Sequence, residues 1–141
     1  GGIRVFDVGT GSGVLAVTAA KLGAGEVIAM DYDRTAAHVA QENVERNHVE
    51  ECVTTGVSDL LQSFTGKADL IIANIIADIV IRLFDELDAH LAEGGHLLAS
   101  GIIDERVADV TEAALSHGFA IDKVIEEGGW AAMVISRGET E

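Results

Sequence analysis

A chain of 141 residues is long enough for one domain with a sizeable core and too short for two. Its 24 acids against 9 bases leave a net charge of −15, which repels a phosphate backbone and argues against a direct nucleic-acid partner. No run approaches about 18 uninterrupted apolar residues, so no membrane span is expected, and the single Cys52 rules out an internal disulfide and suits the cytoplasm.

The pattern alternates strand and helix, the signature of a parallel sheet covered on both faces. Aromatic residues make up only 4% of the chain, so Leu, Ile, Val and Ala must fill the interior. A first strand over about 3–7 leads into a helix over about 12–22, stopped by Gly23 and Gly25. A second strand, about 26–30, precedes a helix over about 34–47 with Ala37, Ala40 and Val44 at helical spacing. A short third strand lies around Cys52-Val53-Thr54-Thr55, and the apolar run Ala68-Asp69-Leu70-Ile71-Ile72-Ala73 is a fourth, ending at Asn74.

The spacing predicts its clearest helix over about 77–92. Ile76, Ile79, Val80, Leu83, Phe84, Leu87 and Leu91 face inward, and Arg82, Asp85, Glu86 and Asp88 face water. Glu93-Gly94-Gly95 stops it before a fifth strand, His96-Leu97-Leu98-Ala99-Ser100. A helix over about 104–117 carries Val107, Val110, Ala114 and Leu115 inward. Two strands, about 119–126 and 130–136, flank Glu127-Gly128-Gly129, a spacing that suits an antiparallel hairpin at a sheet edge. Pattern alone therefore gives a doubly wound α/β fold.

The chemistry gathers where strands end. Asp7-Val8-Gly9-Thr10-Gly11-Ser12-Gly13 joins the first strand to its helix, and glycines at such a turn let backbone approach a ligand closely. Eighteen residues past Gly13, Asp31 closes the second strand, where a carboxylate can bridge a ribose diol with two directional, charge-assisted hydrogen bonds. A nucleoside-bearing cofactor follows. The dinucleotide fingerprint wants a third small residue at position 14, and Val14 stands there instead.

The resulting G-x-G-x-G spacing, with an acid two positions ahead, resembles the first motif of class I S-adenosyl-L-methionine-dependent methyltransferases. Such a resemblance implies a Rossmann-like, seven-stranded sheet, mostly parallel, with the terminal hairpin antiparallel. It also implies that Asp7 faces the cofactor's amino group and that Gly9, Thr10, Gly11 and Gly13 hold its amino-acid end, with the Thr10 hydroxyl toward the carboxylate. Asp31 is expected to take the ribose and Tyr32, directly after it, to lay its ring on the adenine, while the resemblance puts Val57 and Ser58, after the third strand, around the adenine edge.

Asn74 opens Asn74-Ile75-Ile76-Ala77, where amino-methylating members of the class carry N-P-P-Y/F. The missing prolines and aromatic ring argue against methylation of a flipped base. The resemblance implies that Asn74 orients an acceptor nitrogen and contacts the cofactor, and as an Asn before a helix it also suits the cap of 77–92.

Four segments together, Asp7 to Gly13, Ala73 to Ala77, Ser100-Gly101-Ile102-Ile103 and Glu126-Glu127-Gly128-Gly129-Trp130, resemble the catalytic domain of ribosomal protein L-eleven methyltransferases of the PrmA type. The likeness runs over essentially the whole chain; a proline usual before Gly94 is replaced by Glu93. It implies transfer of methyl groups to lysine or terminal amines of a ribosomal protein, with residues 1–141 as the cofactor-binding catalytic domain and the family's amino-terminal recognition domain absent. The alternatives are another class I methyltransferase, acting on a small molecule or a nucleic-acid amine, and a cofactor-binding fragment without turnover. The five histidines are scattered and no serine sits in a G-x-S-x-G elbow, so neither a metal site nor hydrolase chemistry is expected.

Overall fold

The computed structural model describes residues 2–138; Gly1 and 139–141, the outer positions of the expected 1–141 domain, lie outside the described residues. Its elements run β1 (Arg4–Val8), α1 (Val14–Lys21), β2 (Glu26–Asp31), α2 (Arg34–Arg46), β3 (Val53–Val57), β4 (Ala68–Asn74), α3 (Ala77–His90), β5 (Leu91–Ile103), α4 (Val107–Ser116), β6 (Phe119–Glu127) and β7 (Trp130–Arg137). The strands form one sheet in the order β3-β2-β1-β4-β5-β7-β6. β1 to β5 pair in parallel, and β7 runs antiparallel between β5 and β6. This is the doubly wound, Rossmann-like sheet the pattern and the resemblance imply.

The period-two alternation of the strands feeds two cores. Phe6, Ile71 and Ala73 pack with Val80, Leu83, Phe84 and Leu87 of α3 and Val110 and Ala114 of α4. Val5, Val27, Ala29 and Ile72 face the other way, with Ala16 and Val17 of α1 and Val44 of α2. Burial on both faces explains why these strands read as near-continuous apolar runs. Between β1 and β4 the chain changes direction across the sheet, so a crevice opens outside their carboxyl ends. Among the described residues no helix is long and apolar enough to cross a membrane.

Several boundaries differ from the sequence pattern for local reasons. Gly11 and Gly13 take φ of +56 and +85, so α1 starts at Val14 rather than near 12. β3 extends through Val57, which is therefore the strand's last residue rather than part of the loop after it. α3 stops at His90, and Leu91, expected on the helix, is the first residue of β5, opposite Ala68. Pairing resumes at Leu70 and His96, so residues 92–95 are looped out of register and the glycines there form a bulge instead of a helix stop. Residues Asp104–Arg106 form a 3-10 turn ahead of α4. Ile76 and Leu115, expected inward, are exposed.

Gly128 and Gly129 have φ of +62 and +86 between paired Glu127 and Trp130. Two positive φ values in a two-residue loop make the mirror-image turn that matches strand twist and favours Asn-Gly. Gly128→Asn therefore raises stability by about 0.4–1 kcal/mol by narrowing the unfolded ensemble, while Gly128→Val lowers it; thermal unfolding of the two variants distinguishes these outcomes.

Candidate functional site

The loop after β1 is folded back onto β2. The N–H groups of Gly9 and Thr10 both donate to the Met30 carbonyl, at 2.9 and 3.0 Å, and the Gly11 N–H donates to Asp31 Oδ2 at 2.9 Å. Asp31 Oδ1 accepts the Asp33 N–H at 2.9 Å. A carboxylate offers about four acceptor positions, so these two bonds leave capacity on each oxygen for a diol. Close approach decides two of the glycines. A Cβ at Gly9 would stand 2.7 Å from the Ile75 side chain, and one at Gly13 would stand 3.2 Å from Ala40 on α2.

A cavity of about 530 Å³ opens outside the carboxyl ends of β1, β2 and β3, of a size for a nucleoside-bearing ligand. Val8, Gly9, Asp31, Tyr32, Ser58, Asp59, Leu60, Ile75, Ile79 and Arg82 line it. Gly9, Asp31, Tyr32 and Ser58 are thus brought together as the spacing suggests. Tyr32 is three-quarters exposed, a ring free to cover a ligand from above. Asp7, Thr10, Gly11, Gly13, Val57 and Asn74 are not among the residues that line it.

No motif marks Asp59, Leu60, Ile79 or Arg82 as residues of a site, yet all four line the cavity. Ile79 and Arg82 were legible only as the inward and wet faces of a helix, yet both reach the cavity wall. Their one sequence signal is position: α3 starts three residues after Asn74, so its first turns must pass the carboxyl rim.

Asp7 sits under the loop, 1% exposed, with the Thr10 hydroxyl donating to its Oδ2 at 2.7 Å. The Thr10 proton is therefore committed to Asp7, and only its oxygen lone pairs remain for another partner. Burial pushes the Asp7 carboxyl from 3.8 up to about 6; the Thr10 bond opposes this and the nearby Asp31 charge adds to it. Two acids in one site, one of them short of solvent, make a setting for a cationic ligand.

Asn74 ends β4 opposite Ser100 of β5 and is exposed at the rim. It does not cap α3, whose N-cap is Ile76 with extended backbone and no side-chain bond. Its Oδ1 lies over Gly101: a Cβ there would stand 2.6 Å away, and Gly101 has φ +79. Only glycine leaves that carboxamide in place. Among the described residues no group of three His, Cys, Asp or Glu could hold a metal ion.

The family model described as ribosomal protein L11 methyltransferase (PrmA) matches residues 1–138. The chain belongs to this family. The ribosomal protein L11 methyltransferase of Heliobacterium modesticaldum is 50% identical over 134 residues, covering 95% of this chain and 42% of that protein. A crystal structure of ribosomal protein L11 methylase from Lactobacillus delbrueckii subsp. bulgaricus superposes with a TM-score of 0.90 at 37% identity, over 99% of this chain and 72% of that one. The precorrin-6y C5,15-methyltransferase of Geobacter metallireducens shares the fold alone, with a TM-score of 0.81 at 13% identity. The chain spans less than half the length of the curated relative it matches at 50% identity.

Because the folded chain holds a proton on Asp7 that the unfolded chain sheds, this group's stabilisation is complete below pH 3.8 and is lost as pH rises through about 6. The loss is roughly 3 kcal/mol, since each tenfold change in proton affinity is worth about 1.4 kcal/mol. Urea unfolding at pH 4 and pH 7 is expected to show this fall in the wild-type chain and not in Asp7→Asn.

Proposed function

We propose that this chain is the catalytic domain of an S-adenosyl-L-methionine-dependent methyltransferase that modifies amino groups of ribosomal protein L11. The observation that carries the reading is the 530 Å³ cavity at the sheet's switch point, with Asp31 and the glycine loop on one wall. Family membership selects methyl transfer among the uses of such a cavity.

The residues fit the cofactor by chemistry. Asp31 keeps acceptor capacity for the ribose diol. Asp7, with Gly9, Thr10, Gly11 and Gly13, suits an ammonium and carboxylate end. Tyr32 and Ser58 line the space proposed for adenine, and Val57 ends the strand just before Ser58. When bound, the cofactor supplies a sulfonium-activated methyl carbon open to in-line attack by an amine.

Catalysis here is positioning. The Asn74 carboxamide oxygen accepts an N–H of the incoming amine, which turns the nitrogen lone pair toward the cavity. Holding such a near-attack pair supplies about 7–11 kcal/mol of the barrier. An ammonium has no lone pair to donate, so the amine sheds its proton to water before attack. An acid-rich chain with net charge −15 suits a basic protein acceptor better than RNA, and a ribosomal acceptor places the reaction in the cytoplasm.

Calorimetry and a methyl-transfer assay test this reading. The chain is expected to bind S-adenosylmethionine, and Asp31→Ala to weaken it about 100-fold, the loss of two hydrogen bonds to a charged group. In the longer protein, label from the cofactor is expected in ribosomal protein L11. Label in RNA with none in L11 would reverse the acceptor assignment, and binding of NAD alone would reverse the cofactor assignment.

A further inference from the structure

The turn after β3 is held in a shape its own sequence does not favour. Leu60 has φ +53, a left-handed conformation that a branched L side chain adopts only where its surroundings impose it. Part of the constraint is internal. The buried Ser58 donates from Oγ to the Leu60 carbonyl at 2.8 Å and accepts the Ser63 N–H at 3.0 Å. The rest comes from α3. Leu61, fully buried and outside any strand, donates its N–H to Glu86 Oε1 at 3.0 Å, and the Arg82 guanidinium stands 4.0 Å from Asp59.

Ile79, Arg82 and Glu86 are spaced by three and four, which puts them on one face of α3. The first two line the cavity directly, as do Ser58, Asp59 and Leu60. Glu86 does not; it acts one step back, on the backbone of the turn. The same helix follows Asn74 and Ile75, so it frames both the wall of the cleft and the strand end that receives an acceptor.

We propose that Glu86 is a positioning residue for the cofactor cleft, clamping the Leu61 N–H so that Ser58, Asp59 and Leu60 form a ready-made wall before ligand arrives. This rests on the cofactor reading of the cleft. Without the clamp, the strained Leu60 relaxes and the wall must be rebuilt at the expense of binding energy.

Glu86→Ala and Glu86→Gln test it, with S-adenosylhomocysteine affinity by calorimetry and amide hydrogen exchange of the ligand-free chain as readouts. Glu86→Ala is expected to bind about tenfold more weakly, with faster exchange at Leu61 and Ser63 and unchanged exchange in β1 and β4. Glu86→Gln keeps an oxygen acceptor and is expected within about twofold of wild type. Three results would overturn the proposal: wild-type affinity in Glu86→Ala, equal weakening in Glu86→Gln, or faster exchange throughout β1 and β4, the mark of a purely structural role. If the wild-type chain itself failed to bind S-adenosylhomocysteine, the cofactor reading would fall first and take this one with it.

Discussion

The amide of Gly11 and the carboxylate of Asp31 join the two halves of the cleft across neighbouring strands. With the Gly9 and Thr10 amides on the Met30 carbonyl, that bond turns a glycine-rich segment, costly to order, into a fixed lip over the end of β2. It also orients the side chain of Asp31, a residue that lines the cavity. Gly13, with φ +85, then seats α1 against α2, where an added Cβ would stand 3.2 Å from Ala40. Loop, carboxylate and helix packing thus meet at the end of β2.

Charge adds a second constraint. Asp7 is buried beneath the same loop and feels Asp31, which raises its affinity for a proton. A cationic group brought into the cleft would offset that penalty. The fold tolerates a poorly solvated acid where a scaffold with no ligand would be better served by an apolar side chain.

The sequence made the local parts of this design visible. Glycine spacing, the acid at the end of β2 and the apolar runs are short-range signals, and each marks a strand end without knowledge of the neighbours. The sheet order was not readable that way and came only with the family resemblance. Arg82 and Glu86 look like ordinary wet-face residues, because their partners Asp59 and Leu61 are about 25 residues away along the chain. Asn74 reads equally well as a cap, and only the extended backbone at Ile76 removes that role. Gly101 lies in a segment that carries the family resemblance, yet nothing in that segment marks what the glycine does. Its role depends on where Asn74 points, a fact of tertiary packing.

Under the proposed function, Asp31 and the glycine loop form one cradle for a nucleoside whose amino-acid end carries an ammonium and a carboxylate. A crystal structure of the chain soaked with S-adenosylhomocysteine tests it most directly. The expected density lies across the carboxyl ends of β1 and β2, with both ribose hydroxyls on Asp31 and the base between Tyr32 and Ser58. Density elsewhere, or Asp31 turned to solvent with the ligand out of its reach, would contradict the account.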